Sequence, residues 1–244
     1  MTFKLAAWVF VLVLAFTSPA LAQEISIDLG QDGGSLSAAS LQLIALITVL
    51  SLVPGLAIMI TCFPFIVTVL SILRQALGLQ QSPPNMLIVT LALFLSYFVM
   101  DPVLTEAWTR GIKPFIDDDL TPDLAFVETI APFRVFMAAR IDPETFASLY
   151  ELREAAPLEG EIADAPLSLV VPSFLLSELE RAFQIGFLIF LPFLIIDLVV
   201  AAVLMSMGMM MVPPVIVSLP FKLAFFVVAD GWTLISEALV RSYF

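Results

Sequence analysis

The sequence predicts an all-α membrane protein made of two kinked helical hairpins, about four transmembrane segments, with a small helical exported insert between the hairpins. Of its 244 residues, 61% are hydrophobic and only 13% are charged, whereas soluble domains average about 45–50% apolar and about 25% charged residues. Apolar stretches of membrane-spanning length recur along the chain, and two pairs of them turn at Pro83-Pro84 and Pro213-Pro214. One water-soluble core cannot bury such a surplus, so much of it must face lipid or other subunits.

The first 22 residues have the three parts of a cleavable secretory signal. Lys4 supplies the positive region, residues 5–16 the apolar region, and Ala20-Leu21-Ala22 the small-residue site before Gln23. An uncleaved first span is the competing interpretation, but the short apolar run favours cleavage between Ala22 and Gln23. Residues 23–40, rich in Gly, Ser and Asp, would then form an exported N-terminal tail.

Residues 41–104 are predicted to form the first hairpin. Residues 41–73 carry no charge and would reach about 50 Å as one helix, well beyond the ~30 Å hydrocarbon layer. Pro54-Gly55 and Pro64 interrupt this stretch, which indicates a kinked or broken helix. A turn with Arg74 and Gly78 follows, and then a second span over residues 86–104.

Residues 105–177 are predicted to form the polar insert. Between Thr105 and Ala182, fifteen acidic residues stand against six basic ones, so this segment would repel nucleic acid and anionic lipid headgroups. Thr121-Pro122 and Asp142-Pro143 each place a capping residue before a proline at the first helical position. The insert is therefore helical and solvated, and it is too short for a large catalytic domain.

Residues 178–244 are predicted to form the second hairpin. Ser177-Glu178-Leu179-Glu180 has the pattern of a capping box, in which the serine starts a helix and the last glutamate reaches back to it. The helix would run to about Met207, before Gly208 and the Pro-Pro pair. A fourth apolar segment over residues 215–228 and an amphipathic C-terminus complete the chain.

The membrane topology follows from the signal. Cleavage leaves the new N-terminus outside, so four spans put the 105–177 insert on the periplasmic side and both Pro-Pro turns in the cytoplasm. Arg74 in the first turn agrees with the positive-inside tendency. The second turn has no basic residue, so charge alone does not fix this topology.

Three ionisable side chains fall within the apolar segments: Asp101, Asp197 and Lys222. A charge at the bilayer centre costs about 2.5–3.5 kcal/mol, so each needs a partner or a function. Counted from the second turn, Asp197 and Lys222 differ in depth by roughly 9 Å, so a pair within one chain is marginal and a pair between neighbouring copies is open. A structural role is favoured over an ion or proton pathway, because proton-driven transporters usually have more intramembrane acids or a histidine.

A group of methionines precedes the second Pro-Pro pair: Met205, Met207, Met209, Met210 and Met211. On composition alone, apolar filling is the simpler interpretation. However, the group lies at a turn, and methionine is flexible and polarizable, so a ring of such turns in a symmetric assembly could close around a pore.

Several classes of chemistry are excluded by composition. The chain has no histidine, which excludes Ser-His-Asp and Cys-His nucleophiles and the HExxH metal site. Its single cysteine, Cys62, cannot form an intrachain disulfide and is typical of a small buried hydrophobe. No GxxxxGK[ST] phosphate-binding loop occurs. The sequence therefore predicts a protein that is not an enzyme, with no cofactor and no metal.

Multi-residue motifs over most of residues 41–240 closely resemble the FliP family. In the second half these are Phe174-Leu175-Leu176-Ser177-Glu178-Leu179, Ala182-Phe183-Gln184-Ile185-Gly186-Phe187, Pro192-Phe193-Leu194-Ile195-Ile196-Asp197-Leu198-Val199-Val200, Met207-Gly208-Met209-Met210-Met211-Val212-Pro213-Pro214, Ser218-Leu219-Pro220-Phe221-Lys222 and Asp230-Gly231-Trp232. In the first half they are Arg74-Gln75-Ala76-Leu77-Gly78, Pro83-Pro84-Asn85 and Leu91-Ala92-Leu93-Phe94-Leu95.

The resemblance implies a pore-forming, non-enzymatic subunit of the flagellar type III protein export gate, located in the bacterial inner membrane at the flagellar basal body. Such subunits assemble as several copies, a pentamer being expected, with FliQ and FliR. They work with FlhB and FlhA to pass unfolded flagellar proteins, and they need no cofactor because the energy is supplied elsewhere in the apparatus. In that family the methionine-rich loop lines a closed constriction, which corresponds here to Met209, Met210 and Met211; we extend it to Met205 and Met207.

The chain departs from the family pattern at two positions. Phe65 stands where relatives tend to have an arginine, and Glu180 stands where a lysine is common, so no role is transferred to either. The resemblance also suggests that the bent apolar segments stack helically, partly lifted out of the bilayer, rather than forming an ordinary four-span bundle.

Two alternative functions remain open at this point. The first is a small ion-coupled transporter that uses Asp197 and Lys222. The second is the equivalent subunit of a virulence-type injectisome, which shares the second-half motifs. The cleavable signal and the sizeable insert favour the flagellar branch.

Overall fold

The computed structural model of the chain describes residues 36–79, 84–153, 160–209 and 211–244. Every regular element in these ranges is helical. The α-helices are α1 (Leu36–Met59), α2 (Phe63–Ala76), α3 (Asn85–Ala107), α4 (Lys113–Ile116), α5 (Pro122–Ala138), α6 (Pro143–Glu151), α7 (Leu167–Ser206), α8 (Pro214–Val228) and α9 (Gly231–Arg241), with a π-helical turn over Trp108–Ile112 and a 3₁₀ turn over Ile162–Asp164.

The chain divides into two compact units, one ending at Leu50 and one running from Ser51 to Phe244. In the described part of the first unit, α1 exposes its large apolar side chains, including Leu41, Ile47 and Leu50. All remaining helices belong to the second unit, which contains the buried core.

The predicted membrane character is confirmed by the lengths of the helices. The helical stretches Leu41–Met59, Asn85–Ile116 and Leu167–Ser206 are each long and apolar enough to cross a membrane. Helices α8 and α9 reach this length together, but they are bent by 61° at Ala229 and Asp230. The described residues thus provide three spans, or four when the bent pair is taken as one.

The first uncharged stretch is broken, as predicted. The break separates α1 from α2 at residues 60–62, directly before the proline Pro64 in the first turn of α2. A proline there is well tolerated, because its missing N–H would have had no helical acceptor. The other predicted interruption, Pro54-Gly55, lies inside α1, which continues through it.

The two helices that lead into the hairpin turns end alike. Helix α2 ends at Gly78 and α7 at Gly208, and both glycines are left-handed, with φ of 75° and 73°. After α7, the Gly208 N–H donates to the Met205 carbonyl and the Met209 N–H to the Leu204 carbonyl, which is the Schellman pattern of helix termination. The same two bonds follow α2, so the Gly signals correctly predict where both helices end.

The capping box predicted at Ser177 is wrong. Helix α7 begins ten residues earlier, at Leu167, so Ser177 lies inside a 40-residue helix. Its hydroxyl donates to the Ser173 carbonyl at 2.8 Å and accepts the Asp142 N–H at 2.9 Å. The serine therefore joins α7 to the start of α6, and α7 runs across the predicted boundary between the insert and the second hairpin. Similarly, α3 crosses the boundary predicted at residue 105.

Helix α2 forms the centre of the core. Its side chains Phe65, Ile66, Val69, Leu70 and Leu73 are fully buried, on one face, against α3 and α7. A glycine on α7 allows the closest approach, because a Cβ on Gly186 would lie only 2.4 Å from Ile72 Cδ1. Close packing of α2 on α7 therefore fixes the positions of the groups described next.

Candidate functional site

Asp197 and Lys222 form an ion pair within one chain. The Lys222 ammonium nitrogen lies 2.6 Å from Asp197 Oδ2. It also donates to the Ala76 carbonyl oxygen at 3.0 Å. The Ser218 hydroxyl donates to the other carboxylate oxygen, Asp197 Oδ1, at 2.5 Å. The Asp197–Lys222 pair therefore connects α7, α8 and the last residue of α2.

The sequence left intrachain and interchain pairing open because it did not reveal the length of the non-helical turn. Residues 207–209 and 211–213, the described residues between α7 and α8, are not helical, so they add little to the depth difference. Asp197 lies nine residues before the end of α7, and Lys222 lies eight residues after the start of α8. The two side chains are thus level, and the expected offset of roughly 9 Å disappears.

The surroundings of the two charges are unequal. Lys222 is 3% exposed, whereas the side chain of Asp197 is 26% exposed. The Ala76 carbonyl belongs to the last turn of α2, where carbonyl groups lack helical donors and favour a nearby cation. Lys222 is therefore satisfied by one carboxylate and one helix end, both inside the protein.

The third intramembrane charge lies elsewhere. Asp101 is exposed on α3, and within the described ranges it takes part in no ion pair. The structure thus brings together two of the three predicted charges. Asp101 lies near the end of the span predicted over residues 86–104, but near the middle of the longer helical stretch Asn85–Ile116.

The methionine turn is defined here as residues 205–211, and its four described methionines are exposed in the single chain. Met205, Met207, Met209 and Met211 have exposed fractions of 61%, 67%, 42% and 98%. Met210 lies outside the described residues, as does the predicted signal with its cleavage site between Ala22 and Gln23. Because the left-handed Gly208 ends α7 before Met209, the turn projects beyond the end of the helix.

A second buried ionic group lies at the other end of α7. Glu178 is fully buried, and its carboxylate accepts a hydrogen bond from Arg140 Nε at 2.9 Å and another from the Tyr243 hydroxyl. Arg181 lies 3.6 Å from the same carboxylate. The sequence placed Glu178 only within a capping motif. The missed signal was its position on the apolar face of α7, one turn from Phe174 and from Ala182.

Arg140 joins the insert to the C-terminus. Its Nη1 donates to the Ser242 carbonyl at 2.8 Å, and its guanidinium carbon lies 4.1 Å from the centre of the Tyr243 ring. The buried Phe65 packs its ring edge-on against Tyr243, with centroids 5.6 Å apart. The end of α5, the first part of α7 and the chain's last residues therefore meet in one place.

The insert begins its helices as predicted, although only one predicted cap forms. The Thr145 N–H donates to Asp142 Oδ2 at 2.9 Å, and its hydroxyl donates to the same oxygen at 3.0 Å. These bonds lower the pKa of the Asp142 carboxyl below its ordinary value. Thr121 precedes α5 in the same way, but its side chain makes no capping bond.

In the part of the chain that the structure describes, no three His, Cys, Asp or Glu side chains are placed to hold a metal ion. The arrangement instead provides two buried charge clusters that fix α7 to its neighbours and an exposed turn of sulfur-containing side chains.

Comparison with known proteins identifies relatives over nearly the whole chain. The model described as "FliP family" matches residues 46–239. "Flagellar biosynthetic protein FliP" from Caulobacter vibrioides is 49% identical over 225 residues, which is 92% of this chain and 84% of that protein. The protein of the same name from Agrobacterium fabrum is 42% identical over 236 residues, 95% of this chain and 96% of its own. The Bacillus subtilis protein of that name is 45% identical over 204 residues, 84% of this chain and 92% of its own.

The family match includes most of both hairpins, the Asp197–Lys222 pair and the methionine turn, and the comparisons confirm the resemblance found in the sequence. The chain belongs to the FliP family.

Proposed function

We propose that this chain is a pore-forming, non-enzymatic subunit of the flagellar protein export gate in the bacterial inner membrane. In this role it passes unfolded flagellar proteins outward during flagellum assembly, as several copies together with FliQ, FliR, FlhB and FlhA. Membership of the FliP family and the flagellar names of its relatives support this proposal. The same names favour the flagellar branch over an injectisome.

The observation that carries the proposal is the exposed methionine turn. Methionine usually fills apolar interiors or adaptable binding surfaces, yet four methionines of this turn are exposed in the single chain, Met211 at 98%. Copies arranged around an axis would bring these turns together, and unbranched thioether side chains can adapt to one another or to a passing polypeptide. The turn would thus be the seal of the closed pore.

The Asp197–Lys222 pair serves in this proposal as the rigid base of the seal. It lies about 14 Å below the end of α7, at 1.5 Å for each of the nine intervening residues. Through the Ala76 carbonyl it also fixes α2, so the turn can move only if three helices move or if the turn itself deforms. A flexible seal on a fixed base fits a gate that opens for a chain and closes behind it.

The proposal also places the insert in the periplasm. Arg140, at the end of α5, bonds to the Ser242 carbonyl, so the insert and the chain's end share one side of the membrane if α7 and the α8–α9 pair both cross it. The topology inferred from the signal likewise requires an even number of membrane crossings between the insert and Ser242. The two Pro-Pro turns would then face the cytoplasm.

The pore role is tested by replacing Met209, Met210 and Met211 with alanine in the assembled complex. We expect the loss of the seal to increase leakage of small ions across membranes that contain the complex. Met59→Ala is the matched control, because Met59 is also exposed, at 45%, but lies outside the turn. An unchanged leak in the triple variant, with the complex intact by mass, would refute the pore role.

An ion-coupled transporter built on Asp197 and Lys222 has less support from the geometry. Each charge already has its counter-charge and a further hydrogen bond in the protein. The two functions differ in a simple measurement, since purified chain alone in vesicles should show no solute-coupled uptake if it is a gate subunit. Uptake by a single copy without partners would establish the transporter instead.

A further inference from the structure

Tyr243, which follows helix α9, packs its ring against the rest of the protein. The Tyr243 ring lies parallel to the Phe136 ring, with centroids 5.9 Å apart, and edge-on to Phe65 at 5.6 Å. By contrast, Phe244 is 78% exposed. Tyr243 therefore contacts a side chain from the insert and one from the first hairpin at the same time.

Polar contacts of these residues converge on one arginine. Arg140 lies between α5 and α6, and its side chain is only 13% exposed. Its guanidinium bonds to the Ser242 carbonyl through Nη1 and to Glu178 through Nε, and it lies over the Tyr243 ring. The Tyr243 hydroxyl donates to the second oxygen of Glu178.

When a buried arginine and a buried glutamate lose some of their hydrogen-bond partners, the free energy of unfolding falls. Within this cluster one guanidinium nitrogen, Arg140 Nη2, already has no hydrogen-bond partner in the described part of the chain. Removal of the C-terminal residues would take away the acceptor of Nη1 and the aromatic face beneath the guanidinium. Glu178 would also lose its tyrosine donor, leaving Arg140 and the more distant Arg181.

We propose that Ser242 and Tyr243 form a C-terminal latch that holds the insert against α7. The latch secures Arg140, which lies between α5 and α6. The Arg140–Glu178 pair, the Ser177–Asp142 bond and the bonds of Arg134 to the carbonyls of Ala163 and Ala165 also hold this region in place. Because Arg140 adjoins the end of α5 and the start of α6, release of the latch should loosen these two helices more than the rest of the chain.

The latch is independent of the pore role. Glu178 and Asp197 are nineteen residues apart on α7, or about 28 Å along the helix. A variant of the latch therefore leaves the methionine turn and the Asp197–Lys222 pair untouched. The latch can fail as a hypothesis while the pore role stands, and the reverse also holds.

Hydrogen–deuterium exchange of the full-length chain, purified with its partner subunits, tests the latch. Tyr243→Phe removes one hydrogen bond to a charged group, so we expect exchange in α6 and at the end of α5 to rise about tenfold. Tyr243→Ala also removes the ring and should raise it further. Phe244→Ala is the matched control, because that ring is exposed, and it should leave exchange unchanged.

A double-variant experiment with Glu178→Gln distinguishes loss of the latch from a general loss of stability. In the Glu178→Gln background, Tyr243→Phe should add clearly less than it does alone, because the bond between the two residues is already weakened. The latch is refuted if Tyr243→Ala leaves exchange in α5 and α6 at the level of the unaltered chain. It is also refuted if exchange rises equally in α1 and α3, since a uniform rise shows a general loss of stability.

Discussion

Loss of Asp197 should lower the free energy of unfolding more than loss of Lys222 does. Asp197→Leu leaves the Lys222 ammonium 97% buried, with the Ala76 carbonyl as its remaining hydrogen-bond acceptor among the described residues. Lys222→Met leaves a carboxylate whose side chain is a quarter exposed and still accepts the Ser218 hydroxyl. The unpaired lysine left by Asp197→Leu is therefore less favourable than the unpaired aspartate left by Lys222→Met.

The burial and remaining hydrogen bonds of each charge set the expected decrease in the free energy of unfolding. Removing one partner of a buried ion pair costs about 3–5 kcal/mol in free energy of unfolding, and we assign this range to Asp197→Leu. For Lys222→Met we expect about 1–3 kcal/mol, the cost of one unsatisfied buried polar group, because Asp197 keeps a donor and partial exposure. The double variant strands no charge, so it should be more stable than Asp197→Leu alone.

Cys62 can report how often the core opens. Cys62 is the only cysteine, it is fully buried, and its Sγ lies 3.7 Å from the Ser96 carbonyl oxygen. In detergent, a maleimide can label it only after the core opens, so the labelling rate measures the population of open protein. At tenfold for each 1.4 kcal/mol, the loss of about 3–5 kcal/mol means that Asp197→Leu should label roughly two to three and a half powers of ten faster than the unaltered chain.

Matched controls come from charges that the structure leaves at the surface. Lys113→Met and Asp101→Leu remove the same chemical groups from exposed positions on α4 and α3, and neither should change the labelling rate appreciably. Equal effects of Asp197→Leu and Lys222→Met would contradict the asymmetric burial on which the reasoning depends. A double variant as unstable as the sum of the single variants would contradict the pairing itself.

Two further predictions concern packing and capping. Gly186→Ala should lower the free energy of unfolding by about 1–3 kcal/mol, because the new Cβ would meet Ile72 Cδ1 at 2.4 Å and Cγ2 at 3.1 Å; Gly55→Ala, with open space around it, is the control, and thermal melting monitored by Cys62 labelling measures both. Asp142→Ala should speed amide exchange at Thr145, whereas Thr121→Ala, which removes no capping bond, should not affect α5. Because the pKa of Asp142 is lowered by the fold, its stabilisation is complete above the ordinary carboxyl pKa and is lost as pH falls through the lowered one. The difference between Asp142→Ala and the unaltered chain should therefore vanish in acid, and a difference that persists there would contradict the cap.

Features that depend on neighbouring residues could be predicted from the sequence. Gly78 and Gly208 end their helices because a left-handed residue is needed at that position and glycine adopts it without strain. Pro122 and Pro143 begin helices because the first turn needs no N–H donor. The hairpin layout follows from these local signals together with the length of each apolar stretch.

The start of α7 could not be predicted in the same way. Pro166 and Pro172 both argue for a boundary, yet the helix begins directly after the first and continues through the second. Packing decides the outcome, since Val170 and Phe174 are fully buried in the core only if this segment is helical. The apparent capping serine, Ser177, uses its hydroxyl to bind another helix instead.

Both buried charge clusters depend on residues far apart in the sequence. Glu178 meets Arg140 and Tyr243, which lie 38 and 65 residues away. Lys222 meets Ala76 across 146 residues, through a backbone carbonyl that no side-chain pattern reveals. Sequence reasoning could identify Asp197 and Lys222 as unusual, because charges in apolar segments are costly, but their geometry came only with the fold.

The two buried charge clusters also affect which contacts the chain can make with lipid or with other subunits. Both satisfy their charges within the single chain, so neither offers an unpaired charge to a partner at its buried end. The stretch of α7 between them exposes Glu180 near its start and then large apolar side chains, among them Phe183, Phe187, Leu188 and Ile195 at 58–63%. Contacts of this apolar part with lipid or with other subunits therefore depend mainly on packing and shape. In an assembly of identical copies, that surface can slide or repack with little electrostatic cost, while the charge clusters keep each subunit internally rigid.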